Sequence, residues 1–213
     1  MARRTKAIII GAVGVVALLF SGAVLSSCAT QIGPGQTAIK VDDYLLIPAD
    51  PKVDGCIDPE TSAFNPPGGF KAYRYPSRQI SWDATGSPDS EAEPTIVVSN
   101  ATAPAELRVP VVITFDLTSD CGMLMDFHRD FGTKYQGWLD NDGLVTTGWV
   151  NLLRYVIGQP AEQVLISVAQ KYTWREIWND EKVRIEFQNA LRDALPGASR
   201  ARTDGREFFT NFQ

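Results

Sequence analysis

The sequence predicts an α+β fold: an N-terminal transmembrane or signal segment, followed by a small antiparallel or mixed sheet packed with helices. Three observations predict it. Residues 7–24 carry no charge, residues 107–117 are apolar at every second position, and beyond Asp120 the apolar spacing becomes helical. Strands followed by helices is the α+β order. The chain divides into residues 1–30, a membrane anchor or lipoprotein signal; residues 31–120, a strand-rich part; and residues 121–213, a helix-rich part.

The N-terminal segment has two readings. Arg3, Arg4 and Lys6 precede an uncharged run rich in Ile8, Ile9, Ile10, Val15, Val16, Leu18, Leu19 and Phe20. A helix needs about 20 apolar residues to span the hydrocarbon core, and Ala7 to Ser27 meets that length. Basic residues before it and acidic ones after it place the N-terminus in the cytoplasm and the body outside. Leu25-Ser26-Ser27-Cys28 also resembles a bacterial lipobox, which would make Cys28 a lipidation site. The run exceeds the usual signal core of about 7–15 residues, which favours a retained span. Both readings put the body on the same side of the membrane.

Beyond the anchor, Gly33-Pro34-Gly35 is a turn-rich exit. Thr37 to Val41 and Tyr44 to Ile47 are strand candidates, and Asp50 to Gly69 reads as loop because of its prolines and glycines. Lys71 to Trp82 alternates aromatic and charged residues, as a strand broken near Pro76. Asp83 to Pro94 is an acidic loop. Leu107 to Leu117 is the clearest strand, with Thr95 to Ser99 as its hairpin partner and Pro110 requiring an edge or bulge.

Helices follow. Leu124, Phe127 and Phe131 mark a short one, and Leu144 to Ile157 a second, which Gly158 is expected to stop. Pro160 suits the first turn of the next helix, through Tyr172. Thr173-Trp174-Arg175-Glu176 is a capping-box pattern. Asn179 or Asp180 then caps a long helix with its stripe on Val183, Phe187, Ala190, Leu191, Ala194 and Leu195, expected to end at Pro196-Gly197.

The chain has 213 residues, 44% hydrophobic and 21% charged, with formal net charge −5. Without Arg3, Arg4 and Lys6 the body holds 17 basic against 25 acidic residues, or −8. Such a body does not neutralise phosphates, so no nucleic-acid partner is expected. Attachment to membrane lipid must come from the N-terminus. Setting Cys28 apart, Cys56 and Cys121 are an even pair, and in an oxidising compartment they are candidates for a disulfide, with buried free thiols as the alternative. No metal site is expected, with one histidine and no Cys-x-x-Cys spacing.

At Gln31-Ile32-Gly33-Pro34-Gly35-Gln36-Thr37-Ala38-Ile39 the chain resembles the first strand of the SPFH, or band 7, family: stomatin, prohibitin, flotillin and the bacterial HflK/HflC proteins. Pro67-Gly68-Gly69-Phe70 with Tyr75-Pro76-Ser77-Arg78 resembles its proline-glycine turn. Pro94 to Leu117 resembles its paired strands, Phe187 to Leu195 its helix, and Phe208 to Gln213 the start of its last strand. The resemblance covers most of residues 31–213. It implies a small α+β domain that packs side by side into large homo-oligomeric rings or patches on a membrane. It also implies a scaffolding role toward membrane proteins or lipids, without catalysis. The family usually continues into a long charged coiled-coil helix. This sequence reaches Gln213 inside the last strand, as a fragment or a minimal member would, which leaves ring closure open.

Candidate sites are few. His128 is the one histidine, but Asp126 and Asp130 lie at i−2 and i+2 and do not face it on a helix. No Gly-x-Ser-x-Gly, Walker loop or Gly-x-Gly-x-x-Gly is present outside the anchor, so no catalytic or cofactor residue is assigned. Asp140-Asn141-Asp142-Gly143 looks like half a calcium loop, without the spaced glutamate, and reads as a helix-capping turn. Trp138, Trp149, Trp174 and Trp178, with Tyr135, Tyr155 and Tyr172, read first as packing between helices. The alternative is a platform for a carbohydrate or lipid headgroup, the reading of an extracytoplasmic ligand-binding lipoprotein. Arg175, Glu176, Asp180, Glu181 and Lys182 form a solvated face or inter-subunit ion pairs.

Overall fold

Strand β2 (Gln36–Asp42) is central to the first sheet because it is apolar on both faces: Ala38 and Ile39, neighbours on opposite sides, are both fully buried. In the computed structural model, which describes residues 29–42, 51–66, 69–100, 102 and 104–213, β2 is flanked by β3 (Lys52–Ile57) and β5 (Phe70–Pro76) in antiparallel register. The anchor candidate with Cys28, and the strand candidate Tyr44 to Ile47, lie outside the described residues. Among those described, no helix is long and apolar enough to cross a membrane.

One face of this sheet covers a small core of Ile32, Ala38 and Ile57, closed by the pair β1 (Ala29–Gln31) and β4 (Ser62–Phe64). The other face, with Ile39, Val41 and Tyr75, contributes to the main core. A second sheet joins that core, in the order β10 (Phe209–Thr210), β9 (Val111–Leu117), β6 (Ile80–Ala84). It contributes Trp82, Ile113, Phe115, Leu117 and Phe209. A separate hairpin, β7 (Thr95–Val98) with β8 (Glu106–Val109), turns its inner face to a third cluster around Val97, Leu165 and Phe187.

Helix α1 (Cys121–Phe127) opens on Asp120, whose carboxylate accepts from the Met123 N–H at 2.8 Å. It runs through a π-turn at His128–Gly132 into α2 (Thr133–Tyr135). Helix α3 (Thr147–Leu153) continues through a second π-turn at Arg154–Gly158 into α4 (Gln159–Ala169). Helix α5 (Trp174–Asn179) has the anticipated capping box, and α6 (Glu181–Arg202) is capped by Asp180.

Four expectations are corrected. Residues 50–69 are not one loop. They hold β3 and β4, because Val53, Cys56 and Ile57 supply enough inward apolar surface despite the intervening turns. The long strand from Leu107 is two strands, split at Pro110, which has no N–H to give to a ladder. Gly158 does not stop a helix. It sits in the π-turn where a Cβ would lie 2.6 Å from the Trp82 ring, so its role is close approach of helix and sheet. Pro196 does not end α6, which runs to Arg202 because Leu195 and Ser199 on either side of it are buried.

Candidate functional site

The first described residues after the apolar segment are tied to the body at three points. Strand β1 pairs with β4 so that Ala29 lies opposite Phe64, and the Ile32 N–H donates to the Thr61 carbonyl at 3.0 Å. Asn65 acts as a staple. Its amide donates to Thr30 Oγ1 at 3.0 Å and to the Phe70 carbonyl at 2.9 Å, while its Oδ1 accepts from the Phe70 N–H. Arg74 on β5 donates from Nη2 to the Gln31 carbonyl at 3.1 Å and from Nη1 to the Asn141 carbonyl. The same residue bridges to Leu139, whose N–H donates to the Arg74 carbonyl at 2.8 Å. Strand β1 is thus clamped through Arg74 to the 140–143 turn in the helical half.

A disulfide joins Cys56 on β3 to Cys121, the first residue of α1, across 65 residues of chain. It links the strand-rich and helix-rich parts, which also share the main core. Closing a loop of that size in the unfolded chain is worth about 4 kcal/mol.

The aromatic residues do not form one platform. Trp149 is buried in the main core, with its ring 6.1 Å from Tyr75. Trp138 packs edge-on to Tyr73 at 4.6 Å. Trp174 and Trp178 lie apart from these on α5, exposed at 36% and 75%. Tyr135 and Tyr155 stack at 5.5 Å, with Lys134 and Arg202 over their rings. Tyr172 packs against the third cluster. Two of the four tryptophans therefore serve packing, and the other two form a separate surface feature in which Arg175 lies over the Trp174 ring.

His128 is buried, and its Nδ1 is hydrogen-bonded to Tyr75 Oη at 2.7 Å. Burial lowers its pKa to about 4, so the ring is neutral at physiological pH, and burial also raises that of Tyr75. Asp126 and Asp130 turn away from it, to Arg129 at 3.0 Å and to Arg206 at 2.6 Å. In the 140–143 turn, Asp140 Oδ1 accepts from the N–H groups of Asp142 at 2.9 Å and Leu144 at 2.8 Å. That carboxylate is committed to its own backbone, and the cap of α3 is Thr146 rather than this turn. Among the described residues, no three His, Cys, Asp or Glu side chains gather around a point that could hold a metal.

The charged face at 175–182 is largely local. Glu176 Oε2 accepts from the Thr173 N–H at 2.7 Å, which holds its carboxyl below the usual range. Asp180 accepts from Lys182 N, and Lys182 approaches Glu186 at 3.8 Å.

A feature that local sequence patterns did not reveal is a groove of about 810 Å³ between the strands β7 to β9 and helix α6. Its walls are apolar, from Val97, Val109, Phe187 and Leu191, and the charged side chains lining it are those of Arg184 and Arg192, with no Asp or Glu among the lining residues. It was invisible because its lining comes from six separate stretches of chain.

Neither a protein-family model nor a curated protein sequence matches this chain.

Proposed function

We propose that this chain is a membrane-anchored scaffold of the SPFH, or band 7, kind, held by its N-terminus with its body outside the cytoplasm, where copies associate. In this reading it works by assembly and not by catalysis. The observation that carries it is the Cys56–Cys121 disulfide in a body that begins directly behind a basic-flanked, uncharged run. Stable disulfides belong to oxidising compartments, and basic residues before an apolar run orient it outward. The clamped β1 supports the reading too, because Asn65 and Arg74 hold the first described residues behind that run against the body.

The test is the size and sidedness of the full-length protein. Solubilised in mild detergent, it should run as a species of many copies. Protease added to intact cells should remove the body. A clean monomer, or a body spared until the cells are lysed, overturns the reading. Intact mass at the N-terminus distinguishes a retained span from lipid on Cys28.

A further inference from the structure

Three of the most exposed apolar side chains of this molecule lie around the point where the chain leaves its apolar run. Among the described residues, Phe64, Leu144 and Val145 are 66%, 64% and 63% exposed, and of the large apolar side chains only Trp178 is more so. Ala29 and Phe64 are direct partners in the β1–β4 pair, so their side chains share one face of it, and both are exposed there. Leu144 and Val145 follow the 140–143 turn, and the Leu144 carbonyl accepts from the Asp140 N–H at 3.0 Å. That turn is tied to β1 by the Arg74 guanidinium, which donates to the Gln31 carbonyl and to the Asn141 carbonyl.

A polar recess joins the two rims. Its lining includes Ala29 and Gln31 of β1, Asn65 next to Phe64, and Asn141 and Thr146, which flank Leu144 and Val145 in the chain. The charged residues lining it are Lys71, Arg74 and Asp140, and the Asp140 carboxylate is committed to the N–H groups of Asp142 and Leu144. Apolar rims around a polar floor match the boundary of a bilayer, where acyl carbon gives way to hydrated headgroups. The distances agree. Ala29 is two residues beyond Ser27, the last residue of the counted span, so it lies at most about 7 Å from it. The headgroup layer is itself about 5–7 Å thick on each side. Antiparallel partners are about 4.5–5.5 Å apart, which keeps Phe64 close to that level. Lipid on Cys28 would leave Ala29 nearer still.

We propose that this face rests on the bilayer that holds the anchor: Phe64 on one rim, and Leu144 with Val145 on the other, enter the interface between headgroups and acyl chains. The inference rests on the anchored reading above and names a second contact with the same membrane. Three such side chains on an acidic body bind lipid weakly by themselves. Tethered by the N-terminus, they meet the bilayer at an effective concentration that a free body does not reach. A single tether leaves a body free to swivel, and apolar contacts on both sides of the tether remove that freedom.

The experiment puts the photo-crosslinker p-benzoylphenylalanine in place of Phe64, Leu144 or Trp178, one per chain, in full-length protein. Each is reconstituted into vesicles of phosphatidylethanolamine and phosphatidylglycerol, irradiated, and read by intact mass for lipid adducts. Trp178 is the control: it is the more exposed side chain, but it lies on α5, no residue of which lines the recess. All three positions are on the surface, so each protein should melt as wild type does. Lipid adducts at 64 and 144 should exceed those at 178 by about tenfold, because a side chain must come within about 10 Å of the headgroup boundary to meet acyl chains. If the protein stays in the pellet after an alkaline wash and positions 64 and 144 give no more lipid adduct than 178, the face is wrong while the anchor stands. If those two positions link to a second copy and not to lipid, the face is a contact between copies and the proposal is overturned. If the alkaline wash releases the full-length protein, both readings fail.

Discussion

Tyr75 Oη and His128 Nδ1 are hydrogen-bonded at 2.7 Å inside a core from which water is excluded. The ring must stay neutral there, and its pKa falls to about 4 because burial penalises the charged form. In the unfolded chain it titrates near 6.5. Between those values the unfolded state binds a proton that the folded state refuses, so stability falls as pH drops from about 6.5 to 4. The loss at the lower end is on the order of 3 kcal/mol. Chemical denaturation at pH 7 and pH 4.5 should show it. His128→Phe, which does not titrate, should flatten that part of the profile whatever it does to absolute stability. An unchanged slope in the variant would assign the acid sensitivity elsewhere.

Gly132 makes that hydrogen bond possible. A Cβ at this position would lie 2.2 Å from Tyr75 Oη and 3.1 Å from His128 Nδ1. Gly132→Ala therefore forces the tyrosine out of line and strands buried polar atoms. The expected cost is about 2–4 kcal/mol, combining overpacking with a lost buried hydrogen bond. Combining Gly132→Ala with Tyr75→Phe removes the clashing oxygen and should recover part of that loss. A thermal melt of the two variants decides it.

Removing the disulfide should destabilise the body without rearranging it. The main core already crosses from the strand-rich to the helix-rich half, through Ile39, Phe115, Phe127 and Trp149. Cys56→Ala with Cys121→Ala is expected to lose about 4 kcal/mol relative to oxidised protein. Reductant should lower the melting temperature of wild-type protein to a similar degree and leave the double variant unmoved.

Much of the fold was legible because local pattern and tertiary structure agree. The alternation through Ile113, Phe115 and Leu117 became buried β9, and the cap residues Thr173 and Asp180 start α5 and α6 as their side chains require. The errors arose where packing overrides local signals. Pro196 and Gly158 are breakers by propensity, yet burial of Leu195 and contact with Trp82 hold the helices through them. The strand β3 was hidden by Asp54 and Gly55, between its few inward residues. Of the sites, the cysteine pair could be nominated by counting, whereas the aromatic residues were grouped by sequence proximity and the fold separates them. The groove had no signature along the chain, because strand edge and helix face meet only after folding.

The clamp at Arg74 yields the last prediction. Its guanidinium bonds the Gln31 carbonyl in β1 and the Asn141 carbonyl in the 140–143 turn, two segments more than a hundred residues apart. Arg74→Ala leaves both carbonyls without that donor and removes the side chain that spans them. Charge-assisted bonds of this type are worth about 1.5–3 kcal/mol each when neither partner is fully solvated, and part of that is recovered by water at this half-exposed position. A global loss of about 1–2 kcal/mol is therefore expected. The local effect should be larger than the global one, because β1 is only three residues long and relies on its staples. Amide exchange of Ile32, whose N–H donates to Thr61, should accelerate well beyond that of Ile39 in the central strand. Equal acceleration at both amides would mean that Arg74 supports the whole body and does not specifically hold β1.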